Sequence, residues 1–433
     1  MDQTTEGLAD LRARLDSRAE AIFDRMVAWR RDFHAHPELG NQEVRTAGIV
    51  AAHLEAIGCD EVRTGLAGST GVIGILRGGL PGPCVALRAD MDALPVKEET
   101  GLDYASTATQ DWGGETVPVM HACGHDAHTA VLMAVAEVLE AERAQVRGTI
   151  LLVFQPAEEG AAPDWQGLSG ASRLVADGAF DDPRPDAFFV FHVLQDEAKG
   201  DTGRIRVHEG DGTYAMNMLR ITVKGRGGHG ALPWKAVDPL LIGAQILTAL
   251  QAVPAKNVDV NSNAVTLSIG IFRGGAKFNV IPTEAMLEGA LRFTDAATGP
   301  YLESRVEAIC KGIAEAAGGS AECDWYARVP IVHNDPDLVR RMWPSLQRAA
   351  PAEDMVTRVD NCFLDDVSFF TSVAPMIFFT VDVGLDADDL ATSGFHHEPT
   401  FQVNEKGLLT ALKSMLNLAV DFGISKTANT GPE

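Results

Sequence analysis

The stretch MHACGHDAHT, residues 120–129, places three histidines, a cysteine and an aspartate within ten positions. The whole chain has only 12 histidines and 6 cysteines in 433 residues, so this concentration calls for a chemical explanation. Imidazole and thiolate groups bind zinc-like metal ions, and a thiol beside an imidazole can also act as a nucleophile. The spacing of Cys123 and His125 lets both side chains point to one side of an extended backbone. His121 and His128 remain alternative ligands, because spacing alone does not choose among the histidines.

Polar groups of related kinds stand at the ends of three apolar runs of strand length. CVALRAD leads to Asp90 and Asp92, ILLVFQPAEE ends in Glu158 and Glu159, and FFVFHV carries His192. Ligands of open α/β sheets gather beyond the carboxyl ends of the strands, so these groups are expected to meet. Nitrogen, sulfur and oxygen donors together favour a metal site of the zinc or manganese type. A cysteine nucleophile is the alternative, but it leaves the paired glutamates unexplained.

The elements that must position these groups follow an α/β pattern. Apolar runs bounded by Gly and Pro alternate with amphipathic helical segments, which predicts a mostly parallel, helix-covered sheet. From Met216 the order changes to β-α-β-β-α-β, which is the ferredoxin-like order. We therefore predict one α/β domain, residues 1–215 and 332–433, that is interrupted by an inserted α+β domain, residues 216–331.

The composition excludes some partners and compartments. With 36 basic and 60 acidic residues the formal net charge is −24, which argues against nucleic acid and anionic membranes as partners. The cysteines are scattered without a CxxC pair, which favours a reducing compartment. The amino-terminal segment has no apolar signal core, and no apolar run is expected to approach the roughly 18 residues of a membrane span. We expect a cytoplasmic protein.

Seven motifs carry a resemblance to a known family. They occur in the family's order, over a match from about Arg31 to Phe422, and read RADMDALP, MHACGHDAHT, FQPAEEG, FHV, VKGRGGHGALP, GGAKFNVIP and FHHEPTFQVNE. The chain resembles the dinuclear metal amidohydrolases that include hippurate hydrolases, N-acyl-amino-acid hydrolases and auxin–amino-acid conjugate hydrolases. These enzymes belong with the aminoacylases and zinc carboxypeptidases that carry a lid domain.

The resemblance implies a role for each residue of the predicted metal site. The ligands of two divalent metal ions, zinc or manganese with cobalt or nickel as alternatives, would be Cys123, His125, Glu159, His192 and His397. The thiolate of Cys123 would bridge the ions, and Glu158 would be the general base. Asp92 resembles a carboxylate that supports the ligands, and Asp90 stands where carboxypeptidase relatives carry a ligand histidine. His396 would be a neighbour of the ligand His397.

The inserted domain would complete the site as a lid and would also form a homodimer or a dimer-based oligomer. His229 resembles the lid histidine that stabilises the oxyanion of the tetrahedral intermediate. Asn279 resembles a residue that contacts the same centre or the substrate's carboxylate, and Arg292 is a candidate clamp for that carboxylate. Whether His229 acts in its own chain or in the partner's stays open.

The resemblance implies metal-dependent hydrolysis of the amide bond of N-acyl amino acids or related small amide conjugates. The alternative is a dipeptidase or carboxypeptidase that acts on small peptides with the same dinuclear site. Trp234 stands where many relatives have histidine, Asn217 stands where an acidic residue is common, and extra residues follow the paired glutamates. These departures leave the acyl preference open, together with the physiological substrate, the stereochemical preference and the native metal.

Overall fold

The computed structural model describes residues 5–160, 170–195, 202–259, 263–350, 355–357, 364–385 and 393–427. Within these ranges the α-helices are α1 Thr5–Ala35, α2 Val44–Ile57, α3 His125–Ala141, α4 Gly170–Ala176, α5 Pro239–Leu250, α6 Ala252–Lys256, α7 Gly299–Ala316, α8 Pro336–Gln347 and α9 Gly407–Thr427. The strands are β1 Glu61–Leu66, β2 Gly71–Arg77, β3 Leu80–Asp90, β4 Thr109–Trp112, β5 Glu115–Pro118, β6 Arg147–Gln155, β7 Ala187–Leu194, β8 Ile205–Arg206, β9 Gly210–Asp211, β10 Ala215–Lys224, β11 Gly228–His229, β12 Val265–Gly274, β13 Val280–Ile281, β14 Glu284–Phe293, β15 Ser320–Val329, β16 His333–Asn334, β17 Met355–Val356 and β18 Met376–Asp382.

The chain divides into two compact units, which are described separately. The larger unit comprises Met1–Gly210, His333–Asp360 and Phe369–Glu433, and the smaller unit comprises Asp211–Val332 and Asn361–Ser368. Each unit has its own hydrophobic core. The domain boundaries stated from the sequence stay a prediction.

The larger unit is built on an eight-stranded sheet with the order β1-β2-β6-β3-β7-β18-β8-β17. The central strands β6, β3, β7 and β18 run parallel, whereas β1 and β2 add an antiparallel edge. Helix α9 packs against β3 and β7, and α3 packs against α1 and β3. Because the four central strands are parallel, their carboxyl ends lie at one edge of the sheet. The predicted α/β class is confirmed.

The smaller unit contains an antiparallel sheet with the order β12-β14-β10-β15, against which α5 and α7 pack. The order β-α-β-β-α-β along the chain and this strand order confirm the ferredoxin-like prediction. The order β-α-β-β-α-β requires the run NVIPTEAMLEGALRF, residues 279–293, to be a single strand, and in this the prediction is wrong, since the run forms two strands. The break falls at Pro282, which lacks the N–H that a continuous ladder requires, and β13 pairs with β11 instead.

The segment Gly407–Ile424 of α9 is long and apolar enough to cross a membrane by length and composition alone. However, 78 % of this segment is buried inside the protein, as is typical of a core helix. The segment therefore gives only weak evidence for a membrane span.

Candidate metal centre

Cys123 and His125 lie at the junction where a loop enters α3, and both side chains are buried. Between them, Gly124 caps the helix with a φ of 88°. A Cβ at this position would lie 2.3 Å from Cγ2 of Val193, so the close approach of the two segments requires glycine. Ligand atoms of Cys123, His125 and Glu159 all lie within 4.8 Å of one another. The structure thus brings together three of the predicted ligands.

Asp92 holds two of these ligands in place. Its main-chain oxygen and its Oδ1 accept from Nδ1 of His125, at 2.9 and 3.1 Å. Its Oδ2 accepts from the main-chain N–H of Glu159 at 2.9 Å. Nδ1 of His125 is thereby fixed as a donor, and Nε2 is left for another partner. This contact pattern supports the position predicted for Asp92 behind the ligands.

Glu158 and Glu159 follow a turn whose backbone is held by a hydrogen bond that the sequence did not predict. Ala157 has a left-handed backbone with a φ of 49°, and its N–H donates to Oε1 of the buried Glu43 at 2.8 Å. Oε2 of Glu158 then lies 3.9 Å from Nε2 of His125. Glu43 was missed from the sequence, because nothing in its local pattern indicates a contact with residue 157.

His192 and the late histidine pair approach the same cluster. Nε2 of His192 lies 3.6 Å from Sγ of Cys123, and Nε2 of His397 lies 2.9 Å from Oε1 of Glu159. His396 also reaches the cluster, since its Nδ1 lies 3.7 Å from Sγ of Cys123, while its Nε2 accepts from the main-chain N–H of Gln195 at 3.1 Å. The choice of His397 over His396 as the ligand stays a prediction. All five predicted ligands are therefore linked by direct contacts, although their roles as ligands stay predictions.

The two alternative histidines behave differently. Asp90, His125, His128 and His192 also form a close group, but both ring nitrogens of His128 are hydrogen-bonded. His121 is buried next to His34, with ring centroids 6.5 Å apart, and burial lowers its pKa to about 3. His128 is already bound at both nitrogens, and His121 belongs to none of the close groups of ligand atoms among the described residues, so the geometry favours His125.

Burial and nearby carboxylates together set the pKa values in the cluster. Burial and the nearby carboxylates of Glu159 and Glu158 raise the pKa of the Cys123 thiol well above its usual range. For His125, burial lowers the pKa, but Asp90 and Asp92 outweigh burial and raise the pKa to about 10. A negatively charged pocket of this kind stabilises cations, and a bound cation would also favour the thiolate of Cys123.

The donors fit a divalent metal ion of the zinc type. Nε2 of His125 is buried and makes no hydrogen bond to any residue that the structure describes. It faces a thiol and carboxylates, which are the ligand types that such an ion accepts.

The other three predicted site residues lie in the smaller unit. His229 on β11 is exposed and stands opposite Val280 of β13, while its Nδ1 accepts from the N–H of Ala231 at 3.0 Å. Asn279 is exposed, and its main-chain oxygen accepts from Gly230 at 2.9 Å, so it lies beside the His229 segment. Arg292 is half-buried on β14, opposite Met216.

Comparisons with known proteins agree with this chemistry. A sequence profile of Peptidase family M20/M25/M40 matches residues 86–421. A hippurate hydrolase of Campylobacter jejuni is 36 % identical over 310 residues, which cover 72 % of this chain and 75 % of the relative. An N-acyl-L-amino acid amidohydrolase of Geobacillus stearothermophilus is 37 % identical over 311 residues, which cover 72 % of this chain and 78 % of the relative.

A crystal structure from Bacillus subtilis, described as a dinuclear metal binding peptidase from the M20 family, superposes with a TM-score of 0.73 at 29 % identity. The superposition covers 93 % of this chain and 98 % of that chain. The resemblance inferred from the seven motifs is thereby confirmed. The chain belongs to Peptidase family M20/M25/M40 and is a hydrolase that acts on amide bonds.

Proposed function

We propose that the chain hydrolyses the amide bond of N-acyl amino acids or related small amide conjugates with the help of two divalent metal ions. The observation that carries this proposal is the buried cluster of Cys123, His125 and Glu159, whose ligand atoms lie within 4.8 Å of one another. The names of the two relatives, hippurate hydrolase and N-acyl-L-amino acid amidohydrolase, support this class of substrate.

The proposed ligands are Cys123, His125, Glu159, His192 and His397. Zinc or manganese suits this mixture of thiolate, imidazole and carboxylate, and cobalt or nickel would also be accepted. When bound, the ions would acidify a water molecule and polarise the carbonyl group of the amide.

Glu158 would take a proton from the attacking water and return it to the departing amine. Its place next to the cluster, 3.9 Å from Nε2 of His125, supports this role. The carboxylate of Asp92 would keep the ring of His125 and the main chain of Glu159 in position through its two hydrogen bonds, and the main-chain oxygen of Asp92 would add a third, to His125.

Residues 216–331 would act as the lid, with His229 stabilising negative charge on the former carbonyl oxygen. Because Nδ1 of His229 accepts a hydrogen bond from Ala231, a neutral ring carries its hydrogen on Nε2 and can donate it. Asn279, beside the same segment, and Arg292 would bind the carboxylate of the amino-acid part.

The proposed assembly is a homodimer formed through the smaller unit, in a cytoplasmic protein. The edge strands β12 and β15 of its sheet support this assembly, since exposed edges pair readily with a second copy. The cysteines that the structure describes form no disulfide with one another, which is compatible with the cytoplasm.

Removal of metal is the decisive test of the reaction. Thorough chelation should abolish hydrolysis of N-acetyl and N-benzoyl amino acids, and added zinc or manganese should restore it. Full activity of metal-stripped protein would contradict the proposal. Faster hydrolysis of unblocked dipeptides than of N-acyl amino acids would favour the peptidase alternative.

A subunit-mixing experiment tests where His229 acts. His229→Ala and Glu158→Gln should each bind metal but hydrolyse poorly. If His229 serves the partner subunit, random exchange of the two variants restores about a quarter of wild-type activity, since half of the dimers then hold one intact site of two. No recovery, with exchange demonstrated, would show that His229 acts within its own chain.

A further inference from the structure

The main chain next to His192 lies where two strands of the central sheet separate. The parallel strands β3 and β7 pair from Val85↔Ala187 to Arg88↔Val190, but β7 continues to Leu194. In a parallel strand the N–H and C=O of one residue point to the same side, and those of the next residue point to the other. The C=O of Leu194 accepts from the N–H of Val383, which directly follows β18. The N–H and C=O of Val193 therefore point to the opposite side, toward β3.

Imidazole side chains replace the missing strand at Val193. Its N–H donates to Nε2 of His128 at 2.8 Å, and its C=O accepts from Nδ1 of His192 at 2.6 Å. A buried main-chain group without a partner would be costly, so these two bonds substitute for the ladder of β3. The second bond leaves Nε2 of His192 directed at Sγ of Cys123, 3.6 Å away.

The ring of His128 is itself held by a buried ion pair. Its Nδ1 donates to Oδ1 of Asp90 at 2.6 Å, and Oδ2 of Asp90 accepts from Arg88 at 2.7 Å. These three side chains are fully buried. Since a carboxylate only accepts, Nδ1 carries the hydrogen, and Nε2 offers its lone pair to Val193. The orientation of His128 is therefore fixed at both nitrogens.

We propose that His128 is a positioning residue for the metal ligand His192, acting through the main chain of Val193. Asp90 sets the ring of His128, His128 holds the N–H of Val193, and the C=O of Val193 sets the ring of His192. The role of Asp90 is then to anchor this chain of contacts. The inference rests on the proposed metal-dependent function.

Two substitutions at position 128 separate the two hydrogen bonds. In His128→Asn the amide nitrogen can still donate to Asp90, but no acceptor reaches Val193. In His128→Gln the longer side chain places an amide oxygen near the former Nε2, so it can accept from Val193. Thr129→Val is the matched control, because it removes one buried hydrogen bond to the main-chain oxygen of Asp90, of 2.8 Å, without touching Val193.

The measurements are Zn²⁺ affinity by competition with a chromophoric chelator, metal content at saturation, and urea unfolding of the metal-free proteins. His128→Asn should weaken Zn²⁺ affinity about 10- to 100-fold, the range for loss of a group that orients a ligand. Its metal content at saturation should stay that of the wild type. His128→Gln should recover most of the affinity, and Thr129→Val should lose stability alone.

Other outcomes overturn the proposal. Wild-type affinity in His128→Asn, or an equal loss in Thr129→Val, would make the contacts merely structural. A loss in His128→Gln as large as in His128→Asn would exclude the route through Val193, and this variant also serves if the asparagine protein does not fold. Saturation with one ion fewer would make His128 itself a ligand. Failure of the wild type to bind Zn²⁺ would instead refute the proposed metal centre.

Discussion

Asp92→Asn tests how much of the metal affinity depends on one carboxylate that contacts no metal in the proposed site. The carboxylate accepts from the ring of His125 and from the main chain of Glu159 at the same time. An asparagine has one oxygen and one NH₂ group, so one of these two donors must face another donor. Loss of a buried hydrogen bond to a charged group costs about 1.5–3 kcal/mol. If this cost falls on the metal-bound state, affinity drops roughly 10- to 150-fold, since about 1.4 kcal/mol is tenfold.

The low end of this range is expected from the geometry. The main-chain oxygen of residue 92 also accepts from Nδ1 of His125, at 2.9 Å, and it is retained in the variant. The side-chain oxygen of the introduced asparagine can therefore serve Glu159 while His125 keeps one acceptor. We expect about a tenfold weaker Zn²⁺ affinity, measured by chelator competition, with turnover reduced even at saturating metal.

A buried carboxylate away from the cluster provides the control. Asp421 accepts from Arg12 at 2.7 Å and from Ser345 at 2.6 Å, and it is 8 % exposed. Asp421→Asn should lower the free energy of unfolding in urea but leave Zn²⁺ affinity unchanged. Wild-type affinity in Asp92→Asn, or the same loss in Asp421→Asn, would refute the reasoning.

Two further predictions concern the general base and the acyl group. Glu158→Gln should keep both metal ions while kcat falls roughly 10²- to 10⁴-fold, the usual contribution of a general base. Glu159→Gln should lose bound metal, and the opposite metal contents would show that the two roles are exchanged. Trp234 and Phe278 are 73 % and 98 % exposed on the segments around His229. Trp234→Ala and Phe278→Ala should each raise the KM for N-benzoyl amino acids roughly tenfold, because an apolar contact with the benzoyl group is lost. The KM for N-acetyl amino acids should change little. Equal effects on both substrates would exclude a contact with the acyl group.

Much of the candidate site could be predicted because its proposed ligands lie next to regular elements. The ends of β3, β6 and β7 were visible as apolar runs that stop at charged groups, and parallel strands bring such ends together. The stretch that holds Cys123, His121, His125 and His128 stood out by residue type alone. The family resemblance then chose among the histidines that spacing had left open.

The supporting contacts could not be predicted, because they join residues far apart in the chain. Glu43 and Ala157 are 114 positions apart, and His128 and Val193 are 65 positions apart. No local pattern encodes such a pair, since the pairing depends on how the elements pack. The break at Pro282 is different, because the proline was visible in the sequence. The prediction nevertheless placed Pro282 inside one long strand, although proline interrupts a strand ladder.

Among the described residues, four non-glycine residues have left-handed backbones, and two of them lie in the candidate site; the other two are Asn41 and Ala67. Ala157, before the paired glutamates, and His397 have left-handed backbones with φ of 49° and 69°, which side chains with a Cβ rarely adopt. Each costs of order 1–3 kcal/mol and persists only where neighbouring contacts enforce it. Glu43 restrains the N–H of Ala157, and the main-chain oxygen of Ala122 accepts from the N–H of His397 at 2.8 Å. Within the candidate site, the strain therefore falls on the two short segments that present Glu158, Glu159 and His397. Local stability is given up there because the proposed chemistry requires a fixed direction of these side chains.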